Sequence, residues 1–246
     1  MVKLISRVIK SITEFIYPSA CPACGTPVSI HGELCADCWT ALNWIDGPYC
    51  CRCGFPFASH FEFENMPMCP VCASGKSELD WIRSACVYDD ASRNLMLPFK
   101  HCGQINYARF MSRAMIWALR DVDLGSVDIV MPVPLANKRL SFRGYNQATL
   151  LARPIANAIN VKMDLDSVRR KYRDNMGHKS ARARAENIHG VFDVVRADNI
   201  RGKRILLVDD VMTTGATFSE LRRALVRAGA KSVYGVTFCR VARTAQ

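Results

Sequence analysis

The run Arg204-Ile-Leu-Leu-Val-Asp-Asp-Val-Met-Thr-Thr-Gly-Ala-Thr217 constrains this chain more than any other feature. Ile205 to Val208 is a continuous apolar stretch and reads as a buried strand of a parallel sheet. It runs straight into paired carboxylates, Asp209 and Asp210, and then into a small, hydroxyl-rich turn from Thr213 to Thr217. Phe218, Leu221, Leu225 and Val226 follow on one face of a helix that Gly229 stops. A strand, a turn of small residues and a helix N-terminus make an anion site, because free backbone N–H groups, threonine hydroxyls and the helix dipole all favour a phosphate. Two acids just ahead of the turn suit vicinal hydroxyls, each acid accepting a hydrogen bond from a sugar. The pattern predicts an α/β fold and a clamp for a ribose 5-phosphate. The Gly-Lys-Ser/Thr ending of a Walker loop is absent.

The N-terminal third is organised by cysteine instead. Cys21-Pro-Ala-Cys24, Cys35-Ala-Asp-Cys38, Cys50-Cys-Arg-Cys53 and Cys69-Pro-Val-Cys72 supply four C-x-x-C pairs. Each pair lets two sulfurs grip one ion on a tight knuckle, and two knuckles complete a tetrahedral site. Cys21, Cys24, Gly25 and Pro27 recur 29 positions later as Cys50, Cys53, Gly54 and Pro56. This internal repeat predicts a double zinc ribbon. One structural Zn²⁺ is expected on Cys21, Cys24, Cys35 and Cys38, and a second on Cys50, Cys53, Cys69 and Cys72, with Cys51 as an alternative ligand. Disulfides, an iron–sulfur cluster and a redox C-x-x-C are the competing readings, and nothing in the chain signals export or a thioredoxin-like pattern. Cys86, Cys102 and Cys239 stand apart from the pairs and read as buried core thiols, and His60 as a surface residue.

At 246 residues, half of them apolar, the chain is long enough for one or two domains with a sizeable core. The division expected is 1–80, an N-terminal helix and double zinc ribbon, and 81–246, the α/β domain. No apolar run approaches the roughly 20 residues of a membrane span. Leu4, Ile5, Val8, Ile9, Ile12, Phe15 and Ile16 give the first segment helical spacing, with Lys3, Arg7 and Lys10 outside it. Such a basic amphipathic helix either docks on its own domain or lies on a membrane surface. The formal charge is +11; eight thiolates holding two Zn²⁺ would bring it to about +7, still basic and still suited to anionic partners.

From Trp81 onward the pattern is strand and helix in alternation. Ile82 to Tyr88 reads as a strand, Ile105 to Leu119 as an amphipathic helix, and Val127 to Pro134 as a strand whose prolines end its pairing. A basic loop, Leu135 to Gln147, leads into a helix near Gln147 to Ile159, which Pro154 should kink or end early. Ligand loops at strand C-termini are the doubly wound arrangement. Between Arg169 and Arg184 lie seven basic residues and one acid, Asp174, a cationic stretch suited to a nucleic acid backbone.

The stretch from Asp209 to Thr217 resembles the phosphoribosyl-pyrophosphate (PRPP) motif of the type I phosphoribosyltransferases. Val130-Met-Pro-Val-Pro-Leu, Lys138-Arg139, Arg143-Gly-Tyr-Asn-Gln147 and Ser180-Ala-Arg-Ala-Arg184, together with the C-x-x-C-Gly-x-Pro repeats, resemble the ComF family over roughly Tyr17 to Arg240. The resemblance implies a doubly wound, mainly parallel sheet of type I phosphoribosyltransferase type behind a small Cys-rich double zinc ribbon. It implies that Asp209 and Asp210 take the ribose, that Thr213, Thr214, Gly215, Ala216 and Thr217 take the 5-phosphate, and that Lys138, Arg139 and Arg143 face the pyrophosphate with Mg²⁺. Among these, Asp209, Asp210, Arg143 and Lys138 are the expected catalytic groups. The chain lacks the Gln that family members carry near Met176.

By that resemblance the protein handles or takes up single-stranded DNA in natural transformation. It would do so in the cytoplasm or at the inner face of the cytoplasmic membrane, beside an uptake helicase or channel. Two alternatives stay open: an active nucleobase or amine phosphoribosyltransferase of nucleotide salvage, and a DNA-binding zinc-ribbon adaptor with a vestigial transferase fold. Only Val241 to Gln246 follow the last apolar run, which leaves no C-terminal hood to read a base. Tyr172, Trp39, Trp44 and Phe55 are the expected stacking faces for a single strand.

Overall fold

The computed structural model describes residues 19–58, 67–75, 80–136, 140–141, 144–171 and 190–242. The expected N-terminal helix, His60, Lys138, Arg139, Arg143 and most of the basic stretch, including Tyr172, lie outside the described residues.

Strands β1 (Ile82–Val87), β2 (Ile129–Pro132), β3 (Lys162–Met163), β6 (Arg204–Met212) and β7 (Ser232–Arg240) form one parallel sheet in the order β1-β7-β6-β2-β3. A short antiparallel pair, β4 (Val168–Arg170) and β5 (Phe192–Val194), stands apart. The helices are α1 (Ala36–Thr40), α2 (Pro70–Ala73), α3 (Asp90–His101), α4 (Tyr107–Ala118), α5 (Gln147–Ala158) and α6 (Ala216–Arg227). From β2 the chain winds outward to β3, and from β6 it winds the other way to β7. The strand order therefore reverses between β2 and β6, where a doubly wound sheet opens its ligand crevice.

The apolar run of β6 is continuous because both faces of the sheet are covered. Leu206 and Val208 join Val130, Val236 and Phe238 under α3, α4 and α5. Ile205 and Leu207 join Ile129 and Val233 under Phe218, Leu221 and Leu225 of α6. Phe99, Phe110, Phe218 and Phe238 are almost wholly buried, each contributing about 2–3 kcal/mol of apolar transfer. Val226, expected on the buried face of α6, is exposed, and Ala224 takes that place. Helix α5 continues through Pro154 to Ala158. Its packing on α4, β2 and β6 holds it together where a lone helix would break.

The cysteine-rich segment lies along the outer edge of β1. Backbone N–H groups of Ile45 and Val87 donate to the carbonyls of Ala85 and Asn43 (2.9 and 2.8 Å), and that of Ile82 donates to the Arg52 carbonyl (2.8 Å). These bonds satisfy a sheet edge that would otherwise offer unpaired groups to other chains. Arg83 reinforces the junction: its guanidinium pairs with Asp121 at 3.2 Å and donates to the Cys51 carbonyl at 3.1 Å. Cys86 and Cys239 are buried on the paired strands β1 and β7, their sulfurs 3.5 Å apart. Cys102, expected in the core, is exposed because it follows the last turn of α3.

Candidate functional site

The repeat read from the sequence is a repeat of geometry. The Gly25 N–H donates to the Cys21 carbonyl and the Gly54 N–H to the Cys50 carbonyl, both at 2.8 Å. The bridge Ala20–Pro27 recurs as Tyr49–Pro56. Both glycines have positive φ, +79° and +67°, the conformation a knuckle needs after its second cysteine. Each knuckle pair then meets a second one. The sulfurs of Cys21, Cys24, Cys35 and Cys38 lie within 4.8 Å of one another, and so do those of Cys50, Cys53, Cys69 and Cys72. The closest contacts are 3.5 Å for Cys24–Cys35 and 3.6 Å for Cys53–Cys69. A tetrahedron with Zn–S of about 2.3 Å needs sulfurs about 3.8 Å apart, so the donor sets fit Zn²⁺ in size and chemistry. Cys51 is exposed and belongs to neither group. Within the second set the Cys50 thiol is pushed down, first by the hydrogen bond from the Cys53 side chain, while Cys53 is pushed up, first by that same bond, and Cys72 first by burial.

The second constellation lies at the C-terminal ends of β2 and β6. Pairing between them stops at Pro132–Val208, while β6 stays paired with β7 through Asp209–Thr237 to Met212–Arg240. The strand thus runs through both acids to Met212, longer than the apolar run predicts, because one neighbour is enough to hold it. Beyond Val133 the β2 chain turns away and leaves a cleft of about 210 Å³. Asp209, Asp210, Thr217, Lys100 and Arg170 all line it. Gly215 sits at φ +79° and caps α6, which begins at Ala216. Ala216 and Thr217 therefore belong to the first helical turn, where N–H groups lack intrahelical acceptors. The Thr214 hydroxyl accepts from the Ala216 N–H at 3.4 Å.

The electrostatics follow from burial. Asp209 lines the cleft half-buried, and its pKa is raised to about 7, first by burial and then by the charge of Asp210 beside it. The Asp210 N–H, donating to Asp209 Oδ1 at 2.9 Å, opposes that rise first, and Lys100 and Arg170 follow. Lys100 Nζ is 3.1 Å from Asp210 Oδ1.

Lys100, at the end of α3, is a site residue that sequence reasoning missed. A single lysine near the end of an amphipathic helix carries no signal in one sequence. The motif Arg143-Gly-Tyr-Asn-Gln147 has a different part from the one expected for Arg143 alone. Its Tyr145 hydroxyl donates to the Phe99 carbonyl (2.6 Å), and Gln147 Nε2 donates to the Lys100 carbonyl (3.2 Å). Asn146 caps α5 by accepting from the Ala148 N–H (3.1 Å), and its Nδ2 donates to the Val133 carbonyl (3.1 Å). Of the expected stacking residues, Trp39 is exposed. Trp44 lies half-buried against it at 4.4 Å, and Phe55 is half-buried under Arg240. Trp117, exposed on α4 with the Arg120 guanidinium 3.8 Å above its ring, was not anticipated.

Comparison with known proteins gives two domain matches. Residues 12–73 match a double zinc ribbon domain and residues 146–246 a phosphoribosyl transferase domain. The chain is 30% identical to "DNA utilization protein YhgH" of Escherichia coli (strain K12), over 91% of this chain and 97% of that protein. It is 28% identical to "Competence protein F" of Haemophilus influenzae (81% and 87% covered) and 27% identical to "Competence protein ComFC" of Bacillus subtilis (85% and 84%). Among solved structures, the glutamine PRPP amidotransferase from B. subtilis is similar at TM-score 0.37, with 21% identity over 53% of this chain and 26% of that one. An adenine phosphoribosyltransferase is similar at TM-score 0.35, with 15% identity over 59% and 75%.

Proposed function

This chain belongs to the ComF family, and from that premise we propose that it binds PRPP, or a related ribose phosphate, and handles single-stranded DNA during uptake. The observation that carries the reading is the convergence of Asp209, Asp210 and Thr217 on one cleft at the point where the strand order reverses. In this reading the two carboxylates accept hydrogen bonds from the ribose hydroxyls. Residues Thr213 to Thr217 hold the 5-phosphate with hydroxyls and the N-terminal amides of α6. Lys138, Arg139 and Arg143 face the pyrophosphate. Mg²⁺, when bound with PRPP, supplies charge neutralisation of the pyrophosphate.

The two zinc ions are structural, since four protein sulfurs fill each tetrahedron. Residues 1–80 and 81–246 are the two parts of the protein, the first holding zinc and the second holding PRPP. Among the described residues no helix is long and apolar enough to cross a membrane. We place the protein in the cytoplasm, at or near the inner membrane face, beside the uptake machinery.

Calorimetry of Mg·PRPP on wild type and on Asp209→Ala/Asp210→Ala tests the ligand. Binding to wild type, lost in the double variant with zinc content unchanged, is expected; equal affinity in both means the clamp is misread. Anisotropy of a fluorescent single-stranded oligonucleotide tests the DNA. Affinity should fall steeply with salt and show little sequence preference, as counterion release dictates. No binding at low salt leaves a salvage phosphoribosyltransferase as the better reading, to be sought by transfer from PRPP to nucleobases.

A further inference from the structure

The cleft holds a cation whose position is over-determined. Lys100 ends a helix of twelve residues, and side chains from a different part of the chain tie down its last turn. Tyr145 holds the Phe99 carbonyl and Gln147 holds the Lys100 carbonyl, while the Lys100 ammonium meets Asp210 at 3.1 Å. The side chains of Lys100 and Asp210 are 24% and 11% exposed. This ion pair is therefore screened less than a surface pair and costs more to leave half-made. The Lys100 side chain lines the same cleft as the two acids.

We propose that Lys100 is a resident counter-cation of the acid pair, positioned by Tyr145 and Gln147, and that it keeps Asp209 ionised so that this carboxylate can accept a ribose hydroxyl. The proposal rests on the reading of the cleft as a ribose phosphate site. Two carboxylates in sequence, Asp209 half-buried and Asp210 buried, repel each other, and a shared proton would turn an acceptor into a donor. Among the described residues, the charged groups facing Asp209 are Asp210 from its own strand, Lys100 from α3 and Arg170 from β4. Arg170 also lies over the Phe192 ring, at 5.3 Å, which anchors it to β5. Lys100 pairs directly with Asp210. The sign follows: a cation stabilises the charged form, so affinity for a hydroxyl-donating ligand is present at high pH and is lost as pH falls through the Asp209 pKa of about 7. Removing the cation moves that loss to higher pH.

The test is calorimetry of Mg·PRPP from pH 6 to pH 9 on wild type, Lys100→Met, Lys100→Arg and Tyr145→Phe. Lys100→Met should bind about tenfold more weakly near neutrality. Its affinity midpoint should move to higher pH, and its deficit should narrow by pH 9, where Asp209 is ionised in either protein. Lys100→Arg should restore the midpoint, and Tyr145→Phe should shift it the same way by less. A deficit of equal size at pH 6 and pH 9, or an unmoved midpoint, overturns the proposal and leaves Lys100 a structural residue. If wild type does not bind Mg·PRPP, the ribose phosphate reading fails on its own. The ionisation claim is then decided in the ligand-free protein by ¹³C carboxyl titration of labelled aspartate. Midpoints that rise in Lys100→Met sustain it, and midpoints that stay overturn it.

Discussion

The two four-cysteine groups are built from one local design and sit in opposite surroundings. In the first, only Cys21 is buried, and Cys24 is exposed. In the second, Cys50, Cys53, Cys69 and Cys72 are all at most 8% exposed and share one apolar cluster with β2, β6 and α6. Knuckle hydrogen bonds are the same in both. What differs is the neighbour: the second knuckle lies against the end of the sheet, where Arg240 donates to the Cys53 carbonyl and stacks on Phe55. Local sequence thus builds a metal site, and its place against the sheet decides how much of the fold depends on it.

The largest expected contrast comes from removing a ligand. Cys24→Ser and Cys53→Ser should each lower zinc from two to about one per chain, by metal analysis of purified protein. Cys53→Ser should also destabilise the sheet, by about 5 kcal/mol or more, lowering Tm by about 10–20 °C. Cys24→Ser should lower it by less than half as much, because its ion holds mainly surface chain. Equal Tm losses would mean that burial of the second site has no bearing on the sheet.

An intermediate contrast is carried by arginine. Arg83 is buried at the second site, with Asp121 and the Cys51 carbonyl as partners. Arg113 makes an exposed ion pair with Glu33 near the first. Arg83→Met should cost about 2–3 kcal/mol, below the figure for a fully buried pair because Asp121 is partly exposed. Arg113→Met should cost at most about 1 kcal/mol. Urea midpoints on the two variants separate these; a larger loss for Arg113→Met reverses the comparison.

The smallest contrast uses the repeated glycines. Both have positive φ, so either alanine is strained by about 1–2 kcal/mol. At Gly25 a Cβ would meet nothing within 4 Å, whereas at Gly54 it would lie 2.7 Å from the Ile82 carbonyl oxygen. Gly54→Ala should therefore lose about 1 kcal/mol more than Gly25→Ala in the same urea assay. Equal losses would show that the ribbon gives way at Ile82.

The cysteine spacing and the 29-residue repeat were legible because knuckles are local: within each pair the ligands are three positions apart in the chain. The strand, acid pair and glycine-capped helix of residues 204–227 were legible for the same reason. Missed were the extension of β6 past its apolar run, the survival of α5 through Pro154, and Lys100. Each depends on a partner distant in sequence: β7 for the first, α4 and the sheet for the second, Tyr145 and Asp210 for the third.

By itself, then, the sequence determined the residues of both constellations, since cysteine knuckles and an acid pair ahead of a small-residue turn are set by residue type and short spacing. Tertiary structure alone decided three things. It set the ribbon along the edge of β1, buried one cysteine group wholly and the other only in part, and brought Lys100 from α3 onto an acid more than a hundred residues away. Burial and charge pairing depend on which surfaces meet, and in a doubly wound sheet the strand order, not the chain order, brings them together.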